Sequence, residues 1–154
     1  MLLRQREPAD DTFIAKLAER AFDEYSLHPA GSTLRMARSG VTWLACRNDE
    51  RLGFAVVRPG AAGATHAELC AIAVDEHARG LGVGTALLAK VERVLSLAGF
   101  SEITMHTAQA NLSALALFLK LGFRVERRLP RFYRGVFDAC ALRKRIGGPA
   151  KPRT

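Results

Sequence analysis

The sequence predicts a single α/β domain, α+β in its strand order, with helices on the faces of a mixed sheet. The chain has 154 residues, of which 49% are apolar and 25% are charged, as in an ordinary globular domain. Strand-like runs dominate the first half, whereas segments with a helical period alternate with strands after Gly84. Helices set among strands in this way are typical of a sheet covered by helices.

The first half of the chain is predicted to form a strand, two helices and three further strands. Asp10 or Asp11 can cap the first helix, because the apolar residues that follow recur on one helical face. Those residues are Ile14, Leu17, Ala18, Ala21, Phe22 and Tyr25. The other elements are a strand at 2–6, a helix at 32–39 after a connection at 28–31, and strands at 41–47, 52–58 and 66–74. Residues 48–51 predict a hairpin turn.

The second half begins with a helix after Gly84 that ends at Gly99. Its apolar side carries Leu87, Leu88, Val91, Leu95 and Ala98. A strand at 101–107, a helix at 113–121 and strands at 123–128 and 136–145 complete the order. We expect one domain at residues 1–146 and a basic tail at 147–154.

The net charge of +8 comes entirely from the end of the chain. Residues 1–123 carry 13 basic and 13 acidic residues, whereas residues 124–154 carry ten basic and two acidic ones. Such a segment attracts polyanions, which include a phosphorylated cofactor, an acidic peptide or RNA. The alternative is a solvated tail with an arginine-rich strand face. RNA binding as the main function is disfavoured, because aromatic and basic residues alternate only at 131–134.

The composition also bears on compartment and metal content. No run of 18 apolar residues occurs, which excludes a helical membrane span, and residues 1–11 lack the apolar region of a secretory leader. Cys46, Cys70 and Cys140 form no CxxC pair, and the four histidines lack zinc-ligand spacing. We therefore expect a reduced, cytoplasmic protein without a metal or a membrane partner. Cys70 and Cys140 lie in apolar strands and are predicted to be small buried residues.

The strongest local signal is a glycine-rich turn between a buried strand and an amphipathic helix. It consists of Arg79, Gly80, Leu81, Gly82, Val83, Gly84 and Thr85. Glycines allow backbone N–H groups to converge on an anion, and a helix N-terminus adds unpaired donors, so the turn predicts a pyrophosphate site. The spacing fits neither the GxxxxGK[ST] loop nor GxGxxG. A turn without a ligand is the alternative.

Two stretches of the sequence carry a family resemblance. Residues 71–84 end in the pattern Arg/Gln-x-x-Gly-x-Gly/Ala, matched by Arg79, Gly82 and Gly84. Residues 111–123 are similar to N-x-x-A-x-x-x-Y-x-x-x-G-F. These are the two signatures of the GNAT superfamily of N-acetyltransferases, at the family's usual separation, and the resemblance is strong over residues 66–145. It implies a single GNAT-like domain with a central, mostly antiparallel, splayed sheet flanked by helices.

The resemblance implies that acetyl-CoA is the acetyl donor and where it lies. The backbone of Ile72 and Val74 would hydrogen-bond the pantetheine as an added strand. The glycine-rich turn would hold the pyrophosphate, and Asn111 and Phe118 would line the pantetheine arm. Phe118 can equally be a core residue, and both roles are compatible.

Transfer of an acetyl group to an amine requires a hydrogen-bond donor that stabilises the oxyanion and a group that accepts the amine proton. We assign the first role to the Val74 N–H. In the family branch that acetylates protein N-termini, the residue five positions before the signature asparagine faces the acceptor, and here it is His106. Histidine suits a proton acceptor near neutral pH, although His106 can also be a packed or surface residue. Glu68 is the second candidate for the base; alternatively, its side chain is only solvated.

The family's usual general acid is a tyrosine at the position that Phe118 occupies here. Phenylalanine cannot protonate a thiolate, but a thiol of pKa about 8.5 leaves fairly well unaided. Tyr133 could supply a hydroxyl instead. Phe132-Tyr133 and Asp138-Ala139 resemble a Tyr-Tyr and Asp-Ala pattern whose aromatics contact the first substrate residue, so contact is favoured over acid catalysis.

The leading hypothesis is an acetyl-CoA-dependent N-acetyltransferase that acts by direct attack on the thioester. Its acceptor is predicted to be a protein or peptide N-terminus. Alternatives are a small-amine or lysine acetyltransferase, and a non-catalytic acetyl-CoA-binding or RNA-associated module. Monomer and homodimer are both open.

Overall fold

The computed structural model of the chain describes residues 1–147, so the predicted tail at 147–154 lies outside the described residues except for Gly147. Within this part of the chain, seven strands and four helices form. The strands are β1 (Leu2–Gln5), β2 (Val41–Arg47), β3 (Glu50–Pro59), β4 (His66–Val74), β5 (Glu102–Ala108), β6 (Arg124–Tyr133) and β7 (Phe137–Arg145). The helices are α1 (Asp11–Phe22), α2 (Pro29–Ser39), α3 (Val83–Leu97) and α4 (Leu112–Lys120).

The strands form one sheet in the order β1-β2-β3-β4-β5-β7-β6. All neighbouring pairs are antiparallel except β4 and β5, which run parallel. These two strands pair over only three residues each, His66–Glu68 with Glu102–Thr104, and then diverge. The predicted mixed, mostly antiparallel, splayed sheet is therefore confirmed, and the divergence opens a cleft near its centre.

The helices bury the two faces of the sheet. The apolar cluster on one face joins α1 and α2 to side chains such as Leu44, Phe54 and Ala71. The cluster on the other face joins α3 and Phe118 of α4 to side chains such as Ala55, Ile103 and Leu142. Because successive strand residues point to opposite faces, each central strand contributes to both clusters.

Several predicted boundaries are wrong, and contacts explain the differences. The helix predicted at 32–39 begins at Pro29, because proline is well suited to a first helical position. Tyr25, predicted on the α1 face, follows the end of α1, and its ring lies 5.7 Å from that of Tyr133 and 5.2 Å from that of Phe137. The last hairpin also extends further than predicted, since β6 continues to Tyr133 through an irregular register.

Asp10, one of the two predicted caps, occupies the N-cap position of α1, but its side chain makes no capping hydrogen bond to this helix. Its fully buried carboxylate accepts hydrogen bonds from both terminal nitrogens of Arg4 at 2.8 Å and from Nε of Arg51 at 2.6 Å. The Glu7 N–H donates to it at 2.7 Å. Asp10 therefore joins β1, β3 and the start of α1 through one buried ionic cluster.

Candidate active site

The cleft opened by the divergence of β4 and β5 has a cavity volume of about 310 Å³. Its walls come from β4, β5, the α1–α2 connection and the start of α4, with Tyr133 closing one side. Of the predicted site residues, it brings together Ile72, His106, Asn111, Phe118 and Tyr133. Glu68, Val74 and the glycine-rich turn do not line it.

The free edge of β4 offers backbone groups of Ile72, which lines the cleft, and of Val74, two residues further along the strand. The Asp75 N–H donates to the Leu52 carbonyl in β3 at 2.7 Å, and Leu52 precedes the Gly53–Val74 pair in the register. Backbone groups of successive residues point to alternate edges of a strand, so those of Val74 and Ile72 point away from β3. Beyond Glu68 no pairing with β5 uses them.

The glycine-rich turn lies where β4 ends and α3 begins. Gly80 and Gly82 have φ values of +80° and +78°, the left-handed region that glycine adopts without strain. A Cβ built on either glycine meets no heavy atom within 4 Å, so the space beside both glycines is open. No side chain caps α3, and its first N–H groups have no partner within a helix. Arg79 is exposed beside them.

Gly84 lies in a packed position of the glycine-rich turn. It is buried in the first turn of α3, and a Cβ there would lie 3.7 Å from Val74 and 3.8 Å from Leu117. These are ordinary van der Waals distances, so the packing accommodates alanine as well as glycine at this position, as the Gly/Ala pattern expects.

The second signature positions α4 beside the cleft. The Asn111 carboxamide oxygen accepts a hydrogen bond from the Ala114 N–H at 3.3 Å and caps α4. Phe118 is 4% exposed and packs edge-to-face on Phe123, with centroids 5.8 Å apart. Phe118 lines the cleft and also belongs to the core cluster on the α3 face.

His106 is an exposed residue in the second half of β5. Its neighbour Met105 belongs to the core cluster on the α3 face, so the imidazole occupies the opposite, α1–α2 face. The His106 ring stacks at 4.9 Å on the ring of Phe132. Within residues 1–147, the imidazole nitrogens form no hydrogen bond, which leaves them available to a bound molecule.

Tyr133 packs among aromatic rings at the mouth of the cleft. Its ring lies 5.7 Å from Tyr25 and 5.0 Å from Phe132. Burial, with smaller contributions from Cys140 and Tyr25, raises the pKa of Tyr133 to about 12. A hydroxyl this weakly acidic is a poor proton donor to a thiolate but a good hydrogen-bond donor to a ligand.

Glu68 is engaged elsewhere. Its carboxylate accepts hydrogen bonds from Arg58 at 3.0 and 3.1 Å on the neighbouring strand. This ion pair lies where β4 and β5 are still paired, at the closed end of the splay.

The structure adds cleft residues that the sequence did not indicate. They are Phe22, Tyr25, Thr33, Met36 and Cys70. Cys70 is half-buried at a bulge in β4 rather than fully buried as predicted, and burial raises the pKa of its thiol to about 11. The aromatic residues near the end of α1 were the available signal, but their helical spacing made them look like core.

The cleft is uncharged along its walls. None of the described residues that line it is Asp, Glu, Lys or Arg. Among residues 1–147 no group of His, Cys, Asp and Glu is arranged to hold a metal ion. In the same part of the chain, no helix has the length and apolar character needed to cross a membrane.

Comparison with known proteins matches most of the chain to one family. Residues 10–123 match the Acetyltransferase (GNAT) family. N-alpha-acetyltransferase 30 of Xenopus laevis is 36% identical over 72 residues, which cover 47% of this chain and 26% of that protein. The chain spans half or less of the length of the curated relatives it matches.

Solved structures share the fold at low identity. The ribosomal-protein-S18-alanine N-acetyltransferase of Escherichia coli has a TM-score of 0.82 and 21% identity, over 99% of this chain and 98% of that chain. An aminoglycoside 6'-N-acetyltransferase complexed with coenzyme A has a TM-score of 0.80 and 20% identity, over 99% and 100%. With the family match over most of the chain, the splayed sheet and both signatures, the protein belongs to the GNAT family of N-acetyltransferases.

Proposed function

We propose that this enzyme transfers an acetyl group from acetyl-CoA to the α-amino group at the N-terminus of a protein or peptide. One observation carries the proposal: the open edge of β4 and His106 face the same uncharged, aromatic-walled cleft. The acyl donor would enter from the α3 side, and the acceptor from the side of Tyr25 and Tyr133. The free cysteines suit a cytoplasmic location, which is part of the proposal.

The residues at the α3 end of the cleft fit acetyl-CoA. The open, left-handed turn at Gly80 and Gly82 and the uncapped start of α3 suit a pyrophosphate, with Arg79 adding a positive charge. The free backbone groups of Ile72 and Val74 suit the amides of a pantetheine arm. When bound, acetyl-CoA supplies an activated acyl group as a thioester.

In the proposed reaction the amine nitrogen forms a bond to the acyl carbon, and the carbon–sulfur bond breaks. The Val74 N–H donates to the acyl oxygen while that oxygen carries negative charge. His106 accepts the proton that the amine loses, directly or through water. The thiolate leaves without protonation by the residue at the usual tyrosine position, since Phe118 has no proton to give.

The lining of the cleft favours an N-terminal amine over other acceptors. An α-amine of pKa about 7.7–8.0 is roughly one-tenth neutral at pH 7, whereas a lysine near 10.4 is neutral only about 0.04% of the time. Polyamines and aminoglycosides carry several positive charges and need carboxylates to bind them, and the described lining supplies none. The names of N-alpha-acetyltransferase 30 and the Escherichia coli alanine N-acetyltransferase point the same way.

A thiol-release assay with acetyl-CoA tests the proposal. The acceptors are a peptide with a free N-terminus, the same peptide with a blocked N-terminus and an internal lysine, spermidine and an aminoglycoside. We expect release only with the free N-terminus. Release with the polyamine or the aminoglycoside alone would replace the proposed acceptor, and no release with any amine would favour a non-catalytic binding module.

A further inference from the structure

The sheet continues past the cleft as an open face on the side of His106. Helices α1 and α2 pack on β2, β3 and β4. On the strands beyond, the register aligns His106 of β5 with Ala141 of β7, and Ala141 with Arg127 of β6. Residues aligned across neighbouring strands share a face, so Arg127 projects from the face that carries the imidazole.

The arginines of this region divide into paired and unpaired ones. Arg128 forms an ion pair with Asp138 at 2.8 Å, and Arg143 is held by Glu102 and Glu126. Arg127 and Arg131 are exposed, and neither guanidinium has an acidic or hydrogen-bonding partner among residues 1–147. Both positive charges are therefore available to a ligand.

The distances suit a peptide that extends from the cleft. Adjacent strands lie about 4.8 Å apart, so the Cα atoms of His106 and Arg127, two strands apart, are separated by about 10 Å. An extended chain advances about 3.3 Å per residue. The third or fourth residue of an acceptor whose amine lies at His106 therefore reaches Arg127. Arg131 directly precedes Phe132, whose ring stacks on that imidazole.

Beyond the uncharged lining, the α1–α2 connection carries two acidic side chains. Asp23 and Glu24 are exposed in the α1–α2 connection, and Arg134 donates to the Glu24 carbonyl at 3.4 Å. An acidic side chain on the acceptor is attracted to the unpaired arginines of β6. The lining of the cleft is uncharged, so we expect the first side chain of the acceptor to be neutral.

We propose that the acceptor carries acidic side chains about three or four residues after its N-terminus, bound by Arg127 and Arg131. This inference rests on the proposed function and names its substrate class. Charged residues on an edge strand also prevent strand-to-strand aggregation. Reversing the sign of the charge preserves that protection and changes recognition, so it separates the two roles.

The test compares two heptapeptides with the same neutral first residue and glutamate or glutamine at positions three and four. At saturating acetyl-CoA and low salt, we expect kcat/KM to be about three- to tenfold higher for the glutamate peptide, as for two exposed ion pairs. The difference disappears near 1 M salt, where the screening length is about 3 Å. The double variant Arg127→Glu with Arg131→Glu reverses it.

The control uses Arg47 and Arg93, which are both exposed and have no side-chain partner in the described chain. Reversing their charges makes the same change in net charge away from the cleft. Arg47→Glu with Arg93→Glu keeps the preference. Equal kcat/KM for both peptides in the wild type, while both are acetylated, overturns the inference and leaves the proposed function intact. An RNA oligonucleotide that binds through these arginines without any peptide preference also overturns it. If neither peptide is acetylated, the proposed function fails and this inference with it.

Discussion

The imidazole of His106 stacks on the ring of Phe132, with centroids 4.9 Å apart and planes tilted by 31°. Phe132 comes from the β6–β7 hairpin, more than twenty residues further along the chain, so the hairpin fixes one side of the imidazole. The other side faces the cleft. The contact ties the residue proposed to accept the amine proton to the segment proposed to bind the acceptor.

Replacing His106 with alanine tests its role as a proton acceptor. We expect His106→Ala to bind acetyl-CoA normally in calorimetry, because none of the proposed contacts to acetyl-CoA involves His106. Turnover at limiting acceptor falls by about 10²–10⁴-fold if general-base catalysis operates in full.

The acceptor amine attacks only in its neutral form, which it loses in acid. The comparison of wild type with His106→Ala therefore needs a matched substrate. An acceptor whose amine is already neutral at the assay pH should lose much less turnover in the alanine variant. Near-wild-type turnover of the alanine variant with both acceptors would show that His106 is only a strand residue, and Glu68 would be the next candidate base.

Gly82→Ala tests the pyrophosphate site, with Gly63→Ala as its control. Both glycines have φ near +80° and open space at the Cβ position, so alanine adds the same strain, about 1–2 kcal/mol, at each. Gly63 lies between β3 and β4, at the opposite end of β4. We expect similar losses in thermal stability and a loss of acetyl-CoA affinity only for Gly82→Ala. Equal affinity in the two variants would argue against the site.

Tyr133→Phe distinguishes substrate contact from acid catalysis. With its pKa raised to about 12, the Tyr133 hydroxyl stays protonated across the assay range, and no alkaline limb below about pH 10 belongs to it. We expect a higher KM for the acceptor and a turnover number within about threefold that of the wild type, under 1 kcal/mol in the barrier. A roughly hundredfold slower turnover at unchanged KM would instead identify Tyr133 as the acid.

Asp10→Asn tests the buried ionic cluster. Hydrogen bonds from Arg4, the Glu7 N–H and Arg51 hold the pKa of Asp10 well below its usual range. The cluster therefore stabilises the fold above about pH 4, the unfolded pKa, and this contribution is lost as the pH falls toward the lower folded pKa. We expect Asp10→Asn to lose about 2–4 kcal/mol of unfolding free energy at pH 7.

The control for Asp10 is Glu19→Gln on the exposed side of α1, which should change stability little. In denaturant titrations, the difference in unfolding free energy between wild type and Asp10→Asn should become smaller as the pH falls below 4. A difference that stays constant from pH 7 to pH 3 would show that the charge of Asp10 does not contribute to stability.

The fold and the geometry of the glycine-rich turn could be predicted because local patterns encode them. The strand at 66–74 has the predicted boundaries, and the turn at 79–85 combines glycine spacing with a helix start. Both features depend on residues close together in the chain. The acceptor side does not depend on local patterns. Tyr25 contacts Tyr133 because α1 ends before Tyr25 and the last hairpin folds back, so the helical period wrongly placed Tyr25 on the α1 face.

The ionic cluster shows the same limit. Aspartate is a common N-cap residue, so the local sequence predicts that the Asp10 side chain caps α1. Arg51 lies 41 residues away, and pairing with it became available only when β3 packed beside the start of α1. Tertiary contacts of this kind override a local preference because a buried carboxylate must be neutralised.

The most direct test of the central claim is to locate the acetyl group on one bifunctional acceptor. A peptide with a free N-terminus and an internal lysine is incubated with the enzyme and acetyl-CoA, and fragment masses identify the modified nitrogen. The account predicts acetylation of the α-amine, together with one equivalent of free thiol and no acetylated lysine. Acetylation confined to the lysine would contradict it.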